Sequence, residues 1–227
     1  LASSGVLVAH LIPTPFFLIA FAESIVIGSS DDVSFIIEVD TETDFAAKDA
    51  SFQKFLDDLT SFCKEQTPSD LSDLNEKYNA QLLEIIQKIG ENIKISYFQK
   101  LAIEGGIIAS YKHSDNRLAA IVKIDSGDES LGRDIAMQVA ANNPMAIYPD
   151  DIDQNILNKE KEIALVTLAD EFKPDDIKEK IIIGKLIKFK MENALVEQPF
   201  IKDPDKKIKD LLGNSKIISF LRKKVGE

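Results

Sequence analysis

The pattern of apolar and polar residues predicts a mixture of strands and amphipathic helices. The segment VSFIIEV, residues 33–39, is rich in β-branched and aromatic residues and predicts a buried strand. After an acidic turn, apolar residues recur at the spacing that is typical of one face of a helix. The apolar face of this helix comprises Phe52, Phe55, Leu56, Leu59, Phe62 and Cys63.

A second amphipathic helix follows the first one directly. The Thr67-Pro68-Ser69 segment ends the first helix and begins the second. Gly90 ends the second helix, because glycine accepts the left-handed backbone with which many helices close. The apolar stripe of the second helix comprises Leu71, Leu74, Tyr78, Leu82, Ile85, Ile86 and Ile89.

Three more strands and a helix are predicted after Gly90. Residues 93–101 predict a strand, Gly105-Gly106 predicts a turn, and residues 107–111 are expected to pair back onto that strand. Residues 118–124 predict a further strand, which leads through an acidic turn into a helix. The order strand, acidic turn and helix thus occurs twice, which predicts two related subdomains. The apolar face of the later helix carries Leu131, Ile135 and Val139.

The C-terminal part of the sequence predicts a helical hairpin. Asp150-Asp151 is expected to cap a helix over 152–171, and a second helix is expected over 176–193. Thin apolar stripes and charged outer faces are typical of a projecting antiparallel pair. The tail, residues 198–213, predicts a loop and a short helix, and a last short element is predicted at 217–221.

These elements together predict an α+β fold with two related subdomains of antiparallel sheet and helices. The first subdomain is expected to span residues 1–92, and the second residues 93–227. The helical hairpin, taken as residues 152–193, is inserted in the second subdomain.

The first 28 residues are apolar, but they do not predict a membrane span. The longest unbroken apolar run covers only 16–22, whereas a spanning helix needs about 20 apolar residues. No positive charge precedes Lys48, although a signal peptide carries a basic segment ahead of its apolar stretch. Short strands are predicted instead at 6–12, 16–21 and 24–27. The sequence begins with leucine and leaves open whether the chain is a fragment or a processed product.

The composition narrows the functional classes. The 227 residues include 27 Lys and Arg against 38 Asp and Glu, a net charge of −11, which disfavours a nucleic-acid partner. One cysteine excludes an intrachain disulfide, and Cys63 with His10 and His113 cannot form a zinc site of the usual Cys/His kind. Cys63 is expected in the core and His113 in a surface turn. No phosphate-loop, dinucleotide-binding, HExxH or GxSxG motif occurs, so an enzyme that uses scattered carboxylates is the weaker alternative.

The Thr43-Asp44-Phe45 turn has the most distinctive local chemistry. Asp44 is expected to be a helix N-cap whose carboxylate accepts hydrogen bonds from first-turn amides. Phe45 then lies ahead of the apolar stripe, and two interpretations of it stay open. Its ring packs against its own helix as a staple, or it is a wedge that a partner protein accepts.

Six segments of the chain carry a family resemblance. The first is IIEVDTETDFAAKDASFQKFLDDL at 36–59. The others are KIGENIKI at 88–95, EGGIIASYKH at 104–113, GRDIAMQVAANNP at 132–144, GKLIKFKMENALVEQPFIKDP at 184–204 and FLRKKVGE at 220–227. In this order they resemble elongation factor Ts, the nucleotide exchange factor of the translational GTPase elongation factor Tu. The resemblance covers about residues 33–227, and several ordered motifs are far more specific than one of them alone.

The resemblance implies a binding protein, not an enzyme, whose partner is elongation factor Tu and whose effect is GDP release. In the family the Thr-Asp-Phe turn intrudes at the partner's magnesium and phosphate site, which implies partner contacts for Thr43, Asp44 and Phe45. Ile89 and Gly90 match a family pair that contacts the same domain of the partner, and the hairpin is implied to reach the partner as well. The family further implies no cofactor, no direct nucleic-acid contact and no membrane. It implies a place in the cytoplasm or in an organelle of bacterial origin, and it is compatible with a homodimer or a heterotetramer with elongation factor Tu.

The chain departs from the family pattern at several places. It lacks the small helical module with which the family usually begins, and Lys223 and Lys224 replace an aromatic residue and an acid. Gln138 replaces a histidine that supports the contact of the Phe-bearing turn, and we count Gln138 among the partner-binding residues. These differences keep open a second hypothesis, a diverged member that binds elongation factor Tu but exchanges nucleotide weakly.

Overall fold

The protein is a mixture of helices and antiparallel strands, as described by a computed structural model for residues 22–169, 172 and 174–227. This mixture confirms the predicted α+β class. The strands are β1 (Ala22–Ser29), β2 (Val33–Thr41), β3 (Ile93–Ala102), β4 (Ile107–Lys112), β5 (Leu118–Ile124), β6 (Pro199–Phe200), β7 (Asp203–Lys207) and β8 (Ile217–Lys224). The helices are α1 (Asp44–Lys48), α2 (Ala50–Gln66), α3 (Leu71–Ile89), α4 (Glu129–Asn142), α5 (Gln154–Leu168), α6 (Asp175–Asn193) and α7 (Ile208–Leu212), with short 3-10 turns at Pro149–Asp151 and Leu195–Glu197.

The longer strands form two antiparallel sheets of three strands each. The first sheet has the order β1–β2–β3 and the second has the order β4–β5–β8, while β6 pairs with β7 alone. The predicted pairing of residues 107–111 onto the preceding strand is wrong, because β4 pairs with β5 in the other sheet. Gly105 and Gly106 both have positive φ angles, and this turn carries the chain from one sheet to the other.

Helices cover the outer face of each sheet, and the inner faces of the sheets meet. The predicted apolar stripes of α2 and α3 are buried against the first sheet, which confirms both stripes and the core position of Cys63. The predicted apolar face of α4 packs against the second sheet together with the C-terminal tail. The layers therefore run helix, sheet, sheet, helix. The contact between the two sheets includes Ile25, Ile36, Ala119, Ile121 and Leu221.

The strand pairing places β3 in the first sheet. Strand β3 begins at Ile93, yet it pairs with β2 and so belongs to the first sheet. The change of sheet occurs at the Gly105-Gly106 turn. We propose that this turn separates the two subdomains, because each then has one sheet with its own helix-covered core.

Two predicted helix starts are wrong by a few residues, because other aspartates cap the helices. Asp49 interrupts the long helix predicted after the acidic turn, and its carboxylate accepts the Ser51 amide at 2.7 Å. In the hairpin the N-cap is Asp153 in place of Asp150-Asp151, and its carboxylate accepts the Asn155 amide at 2.6 Å. In both cases the capping residue has the non-helical backbone that a cap requires.

Helices α5 and α6 form the predicted antiparallel hairpin. Leu168 near the end of α5 packs with Ile182 of α6, while Leu157 near its start packs with Phe189. None of the described helices is long and apolar enough to cross a membrane.

The predictions for the two ends of the chain have different outcomes. The strands predicted at 6–12 and 16–21 lie outside the described residues, and the strand predicted at 24–27 is confirmed as part of β1. The short helix and the last short element predicted in the tail are found as α7 and as part of β8, but the predicted loop is wrong, because it contains β6 and β7. Phe200 of β6 is buried in the core of the second sheet and holds this segment in place.

Candidate functional site

The Thr43-Asp44-Phe45 turn begins the short helix α1 directly after β2. Thr43 is the N-cap, since its backbone is extended and its hydroxyl oxygen accepts the Ala46 amide at 3.2 Å. The prediction of Asp44 as the N-cap is therefore wrong by one residue, because the β-branched Thr43 takes the extended cap position. Asp44 is instead the first helical residue, where its charge lies next to first-turn amides.

Phe45 and Asp44 both present their side chains outward. Phe45 is 88% exposed, so the interpretation of its ring as a staple on its own helix is wrong. No hydrogen bond or ion pair joins the Asp44 carboxylate to another described residue. The turn therefore presents an exposed aromatic ring beside an exposed acid, and both are available to a second molecule.

Ile89 and Gly90 lie at the end of α3, where Gly90 is exposed. Gly90 has a φ of 79° and donates its amide to Ile86 O at 2.8 Å, which confirms it as the predicted helix stop. A side chain at Gly90 would meet no atom within 4 Å, so its backbone lies open to solvent. Ile89 is half-buried and packs against the first core.

Glu91 connects these two segments, and the sequence analysis did not identify it as a site residue. One carboxylate oxygen of Glu91 accepts the Thr43 hydroxyl at 2.7 Å, and the other accepts the Thr43 amide at 3.1 Å. The Thr41 hydroxyl adds a bond to the Thr43 carbonyl oxygen at 3.1 Å. The one signal for Glu91 in the sequence is its position directly after Ile89-Gly90.

A polar groove lies beside the turn, between β1, the helices α1 and α2, and the turn that joins β4 to β5. Burial raises the pKa of Glu23 in this groove, and the nearby charges of Glu38 and Asp40 raise it further. Asp44 lines the same groove from α1, where acidic side chains alternate with the basic Lys48 and Arg117. The lining residues are Glu23, Ser24, Asp44, Ala47, Lys48, Gln53, Asp115, Asn116 and Arg117.

Cys63 and His113 form no chemical site. Burial raises the pKa of the Cys63 thiol to about 12, so it is neutral and unreactive at physiological pH. His113 lies in an exposed turn, as predicted, with its Nδ1 at 2.9 Å from Asp115. Within the described part of the chain, no group of three His, Cys, Asp or Glu residues is placed to hold a metal ion.

Gln138 lies inside the protein, in helix α4. Its amide nitrogen donates to Gln198 Oε1 at 3.2 Å and to the Pro199 carbonyl oxygen at 3.1 Å. Its amide oxygen accepts the Ile201 amide at 2.9 Å. Gln138 is fully buried, so these bonds tie the β6 segment to α4 and present no side-chain atom of Gln138 to a partner.

Comparison with known proteins agrees with the motifs of this site. The family model described as Elongation factor TS matches residues 42–227, which include Thr43, Phe45 and Glu91. An elongation factor Ts of Marinobacter nauticus is 43% identical over 203 residues, covering 87% of this chain and 70% of that protein. Those of Teredinibacter turnerae and Clostridium kluyveri are each 38% identical, covering 91% and 88% of this chain and 73% of either protein. The chain belongs to the elongation factor Ts family.

Proposed function

We propose that the protein is a guanine nucleotide exchange factor for elongation factor Tu. The observation that carries this proposal is the exposed ring of Phe45, 88% accessible at the start of α1. It adjoins the exposed carboxylate of Asp44, on a turn that Thr43 caps. Membership of a translation elongation factor family makes a GTPase of translation the natural partner for this turn.

The proposed mechanism is displacement and involves no covalent step. A translational GTPase holds GDP through a phosphate-binding loop and a magnesium ion, whose contacts supply much of the nucleotide affinity. The Asp44 carboxylate disturbs the polar groups around the ion, and the Phe45 ring wedges between the elements behind it. The loop then shifts, and GDP leaves. The protein is in this proposal a binding factor and not an enzyme.

The energetics of this mechanism need only a few good contacts. Accelerating GDP release ~10³-fold requires lowering the barrier by roughly 4 kcal/mol. Buried contacts of hot-spot quality contribute about 2 kcal/mol each, so the Phe45 and Asp44 side chains suffice. Because the coupling between two binding sites is reciprocal, a factor that weakens GDP binding to the partner binds that partner less tightly when GDP is present.

The other site residues have supporting roles in the proposal. Ile89 and Gly90 make a second contact with the same partner, for which the open backbone of Gly90 permits close approach. Gln138 supports the surface from within, since it ties β6 to α4. The hairpin of α5 and α6 provides a further contact with the partner.

We further propose that this exchange takes place in the cytoplasm, with an organelle of bacterial origin as the alternative. The acidic net charge of −11 suits a protein partner and disfavours direct contact with nucleic acid. The protein acts either as a homodimer or as part of a heterotetramer with elongation factor Tu in this proposal.

The test is the rate at which purified elongation factor Tu releases fluorescent GDP as the protein is added. We expect a large, saturable acceleration. Co-elution of the two proteins without acceleration would instead support the diverged member that binds but exchanges weakly. The proposal would be contradicted if the protein neither bound elongation factor Tu nor accelerated GDP release from it.

A further inference from the structure

We propose that Glu91 is a positioning residue that holds the Thr43-Asp44-Phe45 turn in the geometry required for partner binding. The inference rests on the proposed exchange function. Glu91 acts through Thr43, to which both of its carboxylate oxygens are bonded at 2.7 and 3.1 Å.

The bonds around the Thr43 hydroxyl form a directional chain. The hydroxyl donates its hydrogen to Glu91, and this orientation leaves a lone pair free to accept the Ala46 amide at 3.2 Å. The carboxylate therefore fixes the direction of the cap bond that begins α1. Because a charged acceptor strengthens such bonds, Glu91 dominates the orientation of the cap.

Besides Glu91, the Thr41 hydroxyl and the Gln53 side-chain amide also bond to this segment, at 3.1 and 2.6 Å. Helix α1 has five residues, which is far too short to be stable by itself. Phe45, Asp44 and Lys48 are exposed, and Ala46 is the buried residue of this helix. The Glu91 bonds to Thr43 are therefore one part of what holds the ring in position.

Glu91 is itself anchored in a rigid part of the protein. It directly follows Gly90, which caps α3 by donating a hydrogen bond from its amide to Ile86 O at 2.8 Å. It lies two residues before Ile93, which is buried at the start of β3. The carboxylate thus links the turn to the end of α3, so that the two proposed contact segments form one unit.

Loss of the hydrogen bonds between Glu91 and Thr43 has a specific kinetic consequence. If the turn samples several geometries, only a fraction of molecules is competent to bind, and the apparent affinity falls by that fraction. At saturation every bound factor still carries Phe45 and Asp44, so the maximal rate of GDP release is preserved. A change at Glu91 is therefore distinguishable from a change at Phe45, which removes the wedge itself.

The experiment measures GDP release from elongation factor Tu against factor concentration for Glu91→Gln and Glu91→Ala. We expect the half-saturating concentration to rise roughly tenfold in Glu91→Ala, as for a competent fraction near one tenth. The rise is smaller in Glu91→Gln, which keeps one acceptor oxygen. Maximal rates stay within about twofold of the parent. Glu84→Ala, which removes an exposed carboxylate of α3, is the matched control and leaves both parameters unchanged.

A double-mutant cycle with Thr43→Val separates positioning from a general loss of stability. Both changes remove the bond between the Thr43 hydroxyl and Glu91, so their combined effect on half-saturation is expected to be smaller than the product of the single effects. Hydrogen exchange at the Ala46 amide is expected to quicken in Glu91→Ala, while the thermal unfolding midpoint monitors the rest of the fold.

Three results would overturn the inference. The first is an unchanged half-saturating concentration in both Glu91 variants while Phe45→Ala is impaired, which leaves the exchange function standing. The second is a lowered maximal rate with unchanged half-saturation, which would make Glu91 a direct contact. The third is unchanged exchange of the Ala46 amide in Glu91→Ala, which tests the hold on the turn even if the parent accelerates no GDP release and the proposed function fails.

Discussion

Lys223 of β8 forms an ion pair with Glu38 of β2, with 2.9 Å between the lysine Nζ and the glutamate Oε2. Both side chains are largely buried, 11% and 6% exposed. The ammonium also lies 5.1 Å from the centre of the Tyr97 ring. The pair joins one sheet to the other, so the lysine that departs from the family pattern has an acidic partner within this chain.

We expect Lys223→Met to lower the free energy of unfolding by about 3–5 kcal/mol, because it leaves the buried Glu38 without its counter-charge. The other oxygen of Glu38, Oε1, has no hydrogen-bond partner in the described part of the chain. Urea unfolding measures the change. Lys224→Met is the control, since Lys224 is half-exposed and 3.9 Å from Glu227, and we expect it to stay within about 0.5 kcal/mol of the parent.

Equal stability of Lys223→Met and Lys224→Met would contradict a structural role for the buried pair. Adding Glu38→Leu to Lys223→Met is expected to restore much of the loss, because a buried pair replaced by apolar residues is often close to neutral.

Glu23 makes stability depend on pH in a defined direction. Burial and the charges of Glu38 and Asp40 raise the pKa of Glu23, and Arg117 and Lys223 offset part of this. A raised pKa means that the ionised carboxyl destabilises the folded protein above that pKa, and the cost disappears as the pH falls through it.

We therefore expect Glu23→Gln to be more stable than the parent at pH 7. The advantage shrinks as the pH falls toward the ordinary glutamate pKa of about 4.3. Urea unfolding at a series of pH values measures this difference. A parent that is the more stable protein at pH 7 would show that the ionised Glu23 is favourable in the fold.

Gly90→Ala and Gly184→Ala are expected to change stability in opposite directions. Gly90 has a φ of 79°, where an alanine costs about 1 kcal/mol. Gly184 lies inside α6 with open space around it, where alanine stabilises by about 0.5–1 kcal/mol. Thermal unfolding of both variants measures the contrast. The same sign for both would contradict the assigned left-handed stop at Gly90.

Asp44→Asn tests the electrostatic part of the exchange mechanism. The amide keeps the size of the side chain but loses the charge that, in the proposed mechanism, acts near the magnesium ion of the partner. We expect GDP release to slow by roughly tenfold, the effect of about 1.4 kcal/mol. Excess magnesium is expected to slow exchange by the parent. A parent rate that is indifferent to magnesium would exclude the role given to Asp44.

The sequence predicts what is locally encoded and misses what depends on distant pairing. The apolar stripe of α3 and its stop at Gly90 follow from spacing and backbone preference. The partner of β4 does not, because strand pairing is decided by segments far apart in the chain. The same holds for Glu91, whose bonds to Thr43 span 48 residues.

The site itself was predicted in part. The family motif identified Thr43, Asp44 and Phe45, but the residue pattern left open whether the ring is a staple or a wedge. The ring stays exposed because Asp49 separates the short helix α1 from α2. Phe45 therefore does not join the apolar stripe of α2. The burial of Gln138 was missed, because its bonding partners come from a tail predicted as a loop.

The most direct test of the account is GDP release from elongation factor Tu with Phe45→Ala beside the parent. Leu83→Ala is the matched control, since Leu83 is an apolar residue of α3 that is 49% exposed. The account predicts that the parent and Leu83→Ala accelerate release equally. It predicts that Phe45→Ala loses roughly 30-fold of the maximal rate, the effect of about 2 kcal/mol at a hot spot. Equal maximal rates for Phe45→Ala and the parent would contradict it.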